Sequence, residues 1–464
     1  MNSEAVFIPS ALSTTDQARM RSYTEHLDFY KGSHWTTGGR ERHLVFNYAR
    51  VNVDKVTSYL MTGFNWACDP LVDTPEARKT ARQAEVAIRQ VYDDNNLRAL
   101  DFETEVDAAV LGDACYKVIW DAKAKAVRIT APDVSGLYAW RVSDDPSLVW
   151  RVATRYQLDK DQVRELYGRE ITNEKAWITE LWTTTDFTLY LDDAIMENKR
   201  NPYGFIPFVV FPNLREPKEP WGVSDIPPLM EVQRELNRAL SQLSRILELS
   251  GNPIAVLENV EESSGIQVQP GAVWHMPAES RAYLLDLLKG GGARLHVEYI
   301  DLLYRCMHDL AESPRAAYGG IDKELSGVAL EVELHSLLQK VNRKRAIRTS
   351  AYKRRNEMIL SLLSKYAGQS YGPVRHRIVW GPVIPQDKAR MAQNEQLLVV
   401  SGIHSRKRAM DEIGVEDPDS EFGEWLKERE AILRMNQETR ARFGRGGPRE
   451  RAEGPGTAEG DEES

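Results

Sequence analysis

Between Asn201 and Leu249 the chain passes from an apolar run bracketed by Gly and Pro, through a proline-rich turn, into a sustained helical periodicity. Leu229, Val232, Leu236, Leu240, Leu243 and Leu247 recur at three- and four-residue steps, while Glu231, Arg234, Glu235, Arg238, Gln242 and Glu248 fill the other sides. Ser224 and Asp225 are N-cap residue types, and Pro227 and Pro228 stand where a missing amide donor costs nothing, so the helix is predicted to begin near Ile226. So narrow a stripe suits a helix packed against sister helices, and its six apolar residues are expected to pack subunit against subunit.

Upstream, Thr14 to Arg50 is polar and mostly helical in character, with a capped start at Thr14 or Thr15 and a stop at Gly32. Val51, Val53, Val56 and Leu60 mark a second helix, and a third is expected over Pro75 to Leu111. The period then drops to two. Apolar and polar residues alternate from Ala114 to Leu158 and again from Lys175 to Leu191, and Phe205 to Phe211 is expected to close the same antiparallel sheet. Helices followed by meandering strands predict an α+β fold, not a doubly wound nucleotide fold.

Downstream of the striped helix, Asn252 to Leu288 is strand-rich and punctuated by Gly265, Pro270, Gly271 and Pro277, which predicts a small β-module with little core. A break at Gly290 to Gly292 leads into a second helix, Ala293 to Glu312, with Leu295, Tyr299, Leu302, Cys306 and Leu310 along one side. Pro314, Gly319 and Gly320 interrupt it, and Ser326 can cap a successor running to about Tyr366. That successor would be on the order of 40 residues and about 60 Å long. A short strand is expected within His376 to Asp387, after which helices resume, and Gly444 to Ser464 reads as disordered.

Two phrases carry a family likeness. The order PYG-x-IPFV-x-F-x-N over 202–213, then WG-x-SDI-x-PL-x-x-x-Q-x-x-LN-x-x-LS over 221–241, resembles the portal proteins of tailed double-stranded DNA bacteriophages. The N-x-x-R-x-x-V-D phrase at Asn47, Arg50, Val53 and Asp54, and SG-x-AL at Ser326, Gly327, Ala329 and Leu330, are similar to the same family. The resemblance implies an elongated protomer: an N-terminal wing over 1–225, a first stem helix over 226–250, a clip over 251–290 and a second stem helix over 291–315. A tunnel loop over 316–326, a long wing helix and return strand over 327–385, a helical crown over 386–443 and a disordered tail over 444–464 would follow.

The same resemblance implies a twelve-fold ring at one capsid vertex. It would pass double-stranded DNA without reading sequence, dock the large terminase subunit and head-to-tail connectors, and meet the major capsid and scaffold proteins. Tyr318, Gly319, Gly320, Ile321, Asp322, Lys323, Glu324 and Leu325 would face the channel, where the glycines allow tight turns and Ile321, Lys323 and Leu325 offer contacts without base readout. The bland alternative is an ordinary inter-helix loop. The protein is expected in the host cytoplasm during assembly and in the virion afterwards, with no membrane partner.

Charge and chemistry narrow this picture. A formal net charge of -9 over 464 residues argues against a surface that grips nucleic acid, although an acidic wall suits DNA that slides. Mild acidity also simply keeps proteins soluble. Cys68, Cys115 and Cys306 are too few and too scattered for a disulfide framework or a thiolate metal site. The sequence has no G-x-x-x-x-G-K-[ST] loop, H-E-x-x-H, paired C-x-x-C or G-x-S-x-G elbow. No catalytic residue, metal or cofactor is therefore assigned.

Asp144-Asp145, Asp192-Asp193 and Glu261-Glu262 invite a metal-dependent nuclease reading, but each sits in a turn-like context. A capsid-associated adaptor or minor head protein is the other alternative. The basic run Arg343, Lys344, Arg345, Arg348, Lys353, Arg354 and Arg355 fits either a contact between subunits or the solvated side of a long helix.

Overall fold

Local signals place most of the N-terminal elements. Helix α1 (Gln17–Lys31) stops where Gly32 turns left-handed at φ 74°. Asn47 caps α2 (Tyr48–Leu60) by accepting the Arg50 amide at 3.0 Å. After a short strand, β1 (Asn65–Pro70), the helix expected over Pro75 to Leu111 proves to be two, α3 (Pro75–Asp94) and α4 (Leu97–Leu111). The break falls at Asn96, left-handed at φ 47°, a conformation Asn tolerates better than most residues.

This computed structural model describes residues 7–33, 44–251, 254–259, 279–285, 292–319, 327–383, 388–415 and 418–443. Most of the β-module expected over Asn252 to Leu288, the loop residues Gly320 to Leu325, and the tail Gly444 to Ser464 lie outside them. The chain divides into two compact units, Met1–Ile384 and Pro385–Ser464.

In the larger unit the strands form an α+β fold with two principal sheets, not the single sheet expected. One holds β2 (Asp113–Asp121) in its centre, between β3 (Ala126–Thr130) and a strand that comes much later in the chain. The other is an antiparallel meander of β4 (Leu137–Arg141), β5 (Val149–Asp159), β6 (Lys175–Thr183), β7 (Asp186–Leu191) and β8 (Ala194–Arg200). A short helix, α5 (Lys160–Tyr167), sits in the β5–β6 connection behind an Asp159/Gln162 capping box. The run at Phe205 to Phe211 gives β9 (Phe208–Pro212), which joins β2 and so closes the first sheet.

Two-residue strands β10 (Leu214–Arg215) and β11 (Gly222–Val223) lead into α6 (Pro227–Gly251). Strands β12 (Ile254–Glu258) and β13 (Arg281–Leu285) pair antiparallel, and α7 (Gly292–Leu310) returns against α6. The expected long helix is divided into α8 (Gly327–Glu333) and α9 (His335–Tyr366), with Leu334 at their junction. At 32 residues α9 spans about 48 Å. It packs across the three-stranded sheet, where Tyr352, Met358, Ile359 and Leu362 meet Tyr116, Val118, Phe211 and Ile88 in the largest core. Strand β14 (Val374–Val379) then pairs with β1 in register Asn65 to Val379.

The smaller unit contains α10 (Lys388–Val400), α11 (Arg406–Glu412), capped by Ser405 on the Arg408 amide at 3.2 Å, and α12 (Pro418–Phe443).

Candidate functional site

The family-like phrase around Trp221 to Ile226 forms a junction at the C-terminal end of α4. Gly112 is left-handed at φ 105°, and a Cβ added at Gly222 would lie 2.1 Å from the Gly112 carbonyl oxygen, so only glycine fits there. The Asn213 amide donates to that same carbonyl at 2.7 Å, and the Asp225 amide donates to the Ala109 carbonyl at 2.8 Å. Asp113, buried, accepts from the Gly222 amide at 2.8 Å and from the Tyr23 hydroxyl at 2.6 Å. Burial outweighs these bonds and raises its carboxyl above the ordinary range. Ser224 donates to the helix carbonyls of Ala109 or Val110 and accepts from the Ile226 amide.

Asp225 does not serve as a helix cap. Its carboxylate meets Lys340 at 3.3 Å and Lys344 in a shorter contact, all three side chains being at most 5% exposed. Burial alone would raise this carboxyl, but Lys340 and then Lys344 hold it well below its usual range. The Lys344 ammonium is pushed down to about 8 by burial, which Asp225 only partly offsets.

The basic run on α9 is thus corrected: four of its members are interior ties and not a surface patch. Lys344 holds Asp225. Arg345 donates to the carbonyls of Leu60 at 3.1 Å and Gly381 at 2.7 Å. Arg348 meets Glu105 and the carbonyls of Pro212 and Asn213. Arg355 pairs with Asp101, 2.8 Å at its longer contact, beside the Tyr92 hydroxyl. Burial is the largest single influence and would lower the Arg355 guanidinium, but Asp101, Tyr92 and Tyr116 together outweigh it and raise it well above the ordinary value. Of the rest, Arg343 bridges Glu312 at 2.6 Å, Arg354 pairs with Glu357 at 3.1 Å, and Lys353 is half-buried.

The α6 stripe is also largely internal. Leu229 and Leu236 are buried with Phe29, Val53 and Met307, and Val232 and Leu240 pack against that cluster. Leu243 is half-buried, and Leu247 is 52% exposed. The polar Gln233 and Asn237, which interrupt the stripe, hold the segment before α2: Gln233 accepts the Tyr48 amide at 3.0 Å and Asn237 the Phe46 amide at 3.1 Å.

An uncovered apolar surface lies on α7. Ile300, Leu303, Tyr304, Met307 and the adjoining Ala311 face the core shared with α6. On another side, Leu295 is 69% exposed, Leu302 56% and Leu310 49%, with Tyr299 between them. At the end of the following turn, Tyr318 is anchored inward, its hydroxyl accepting from Asn52 at 2.8 Å, while Gly319 turns left-handed at φ 86°.

The acid pairs occupy turns. Asp145 accepts from the Ser147 amide at 3.0 Å, Asp192 from the Trp177 amide at 2.9 Å and Asp193 from the Ser10 amide at 2.8 Å, while Glu261 and Glu262 lie outside the described residues. Among the described residues no group of three or more His, Cys, Asp or Glu is placed to hold a metal. No described helix is long and apolar enough to cross a membrane.

The larger unit is thus an α+β body tied together by a cationic helix, with one apolar helix face left open. The chain belongs to the phage portal proteins described as SPP1 Gp6-like, a structural family whose family model matches residues 11–435 of the 464. No individually curated protein matches it.

Proposed function

We propose that this chain is the protomer of a ring-shaped channel at one capsid vertex, through which double-stranded DNA enters during packaging and leaves during ejection. Membership of the portal family supports that role. The observation that carries the assembly is α7, apolar on two sides but covered on one. Burying the second apolar side is favourable, and a neighbouring copy supplies that cover. Helices α6 and α7 then correspond to the stem, the segment between β12 and β13 to the clip, and α9 to the long wing helix. In this reading the ring is dodecameric, Tyr318 to Leu325 begins at an anchored tyrosine and reaches into the channel, and the terminase motor and head-to-tail connectors dock on the assembled ring in the virion.

Negative-stain electron microscopy with mass analysis in solution tests it. Rings with a central hole and about a dozen subunits are expected. A protein that stays monomeric across concentration and salt, with α7 exposed, would sink the reading.

A further inference from the structure

The three-stranded sheet has two outer edges, and the fold treats them differently. Asn95 closes the β3 edge: its Oδ1 accepts from the Ile129 amide at 2.9 Å and its Nδ2 donates to the Val127 carbonyl at 2.9 Å. On the opposite edge, the Val118 amide donates to the Pro207 carbonyl at 2.9 Å, which sets the alternation of the β2–β9 ladder. Val209 and Phe211 therefore turn their peptide groups toward β2, and Phe208 and Val210 turn theirs outward. Among the described residues neither outward amide donates to a backbone partner beyond the sheet. Arg348 covers the far end, on the Pro212 carbonyl at 3.0 Å.

Exposed edges are ordinarily blunted by charge, proline or a bulge. Strand β8 follows that rule with Glu197, Lys199 and Arg200, whereas β9 has proline only at its two ends, Pro207 and Pro212, and reads Phe-Val-Val-Phe between them. A groove of about 840 Å³ runs along β9, walled by Ile347, Ser350 and Met358 of α9 and by Leu148 and Thr184 from turns of the five-stranded sheet. Leu148 is 55% exposed at its rim. Arg141, Arg215 and Arg354 also line it. Arg141 keeps its Nε and one Nη buried without a hydrogen-bond partner. The groove thus combines outward amides without a backbone partner, apolar walls and the cations Arg141 and Arg215, Arg354 being paired with Glu357.

We propose that β9 is a docking edge that takes an extended segment of another polypeptide as a fourth strand, the segment apolar in its middle and carrying carboxylates at its flanks. The outward peptide groups of Phe208 and Val210 bond to its backbone, its apolar side chains meet Leu148 and Ile347, and its carboxylates meet Arg141 and Arg215. This goes beyond the channel reading, which assigns this groove no occupant.

The probe is a fluorescein-labelled heptapeptide, Asp-Val-Ile-Val-Thr-Val-Glu, titrated into the full-length protein and followed by polarisation. Saturable binding is expected, weakened about tenfold by Arg215→Glu and at least about tenfold by Val210→Pro. The proline removes an outward donor without touching the β2 ladder, a strand setting in which proline is tolerated. Melting curves verify that both variants fold, and Arg215→Glu stands alone if the proline variant does not. N-methylating alternate amides of the peptide should abolish binding in one register and spare the other. No binding, or equal binding by the wild type and both variants, overturns the proposal. So does displacement of the peptide by duplex DNA with no effect of Val210→Pro, which assigns the groove to nucleic acid. A changed solution mass in Val210→Pro without peptide binding also overturns it and assigns the edge to a second copy of this chain.

Discussion

Arg348 of α9 and Glu105 of α4 meet at 2.8 Å with neither side chain exposed to solvent. An ion pair so placed adds little over an apolar pair of the same shape, but breaking it from one side strands a charge. Arg348→Met should therefore destabilise the larger unit by about 3–5 kcal/mol. Adding Glu105→Leu removes the stranded carboxylate and should recover part of the loss. Urea unfolding of the two variants decides it: equal instability would show that the carboxylate is not the source of the cost.

Asp225 makes the fold acid-sensitive. Its folded value lies below the ordinary 3.8, because Lys340 and Lys344 outweigh burial, so its contribution is complete above that value and is lost as the pH falls through the folded one. Asp225→Asn should be less stable at neutral pH. Below pH 4 its stability should also fall less steeply than the wild type's, by up to about 1.4 kcal/mol per pH unit. Parallel acid-unfolding profiles would count against the assignment.

Gly222 should tolerate no side chain. The Cβ of an alanine would sit 2.1 Å from a backbone oxygen and 2.7 Å from the Pro212 side chain, with no flexible group free to yield. Gly222→Ala is expected to cost about 3 kcal/mol. Gly168→Ala, where nothing stands within 4 Å but the backbone is left-handed at φ 62°, should cost only about 1 kcal/mol. Thermal melts of the two variants should separate clearly.

Aspartate substitutions should distinguish the two helices of the α6–α7 pair. Leu302→Asp, at a position 56% exposed, should leave protomer stability within about 0.5 kcal/mol of wild type and abolish assembly. Leu236→Asp, at 1% exposed, should unfold the protomer itself. Sedimentation and circular dichroism together separate the outcomes, and a Leu302→Asp protein that still assembles would remove α7 from the contact.

Periodicity and punctuation made the long elements legible: the α6 stripe, the Gly292 start of α7 and the Gly32 stop all sit where the sequence signals put them. Pairings were not legible, because a strand carries its period but not its partner. The run Phe205 to Phe211 reads as the close of the meander's sheet, yet the strand it forms pairs with β2, reached across six intervening strands. The break at Asn96 was missed although the polar run Asp93-Asp94-Asn95-Asn96 interrupts the apolar repeat there.

The basic row misled for a physical reason. Lys and Arg on a long helix ordinarily imply water, and nothing local shows that Asp101, Glu105 and Asp225 wait in distant segments to neutralise Arg355, Arg348 and Lys344. The signal that was available lay in the WG-x-SDI phrase, an acid beside apolar residues with no neighbouring cation to match it.

The β1–β14 ladder has a consequence for how the protein is made. It joins segments roughly 300 residues apart, and α9, which covers the main core, emerges late as well. While the ribosome is still working, α2, α3 and the first strands stand with their apolar sides unsheltered, and only a nearly finished polypeptide can close over them. A product cut short before Val379 would lack the closing strand and remain a target for chaperones and proteases. The topology thereby makes translation past β14 a condition for completing the β1–β14 ladder.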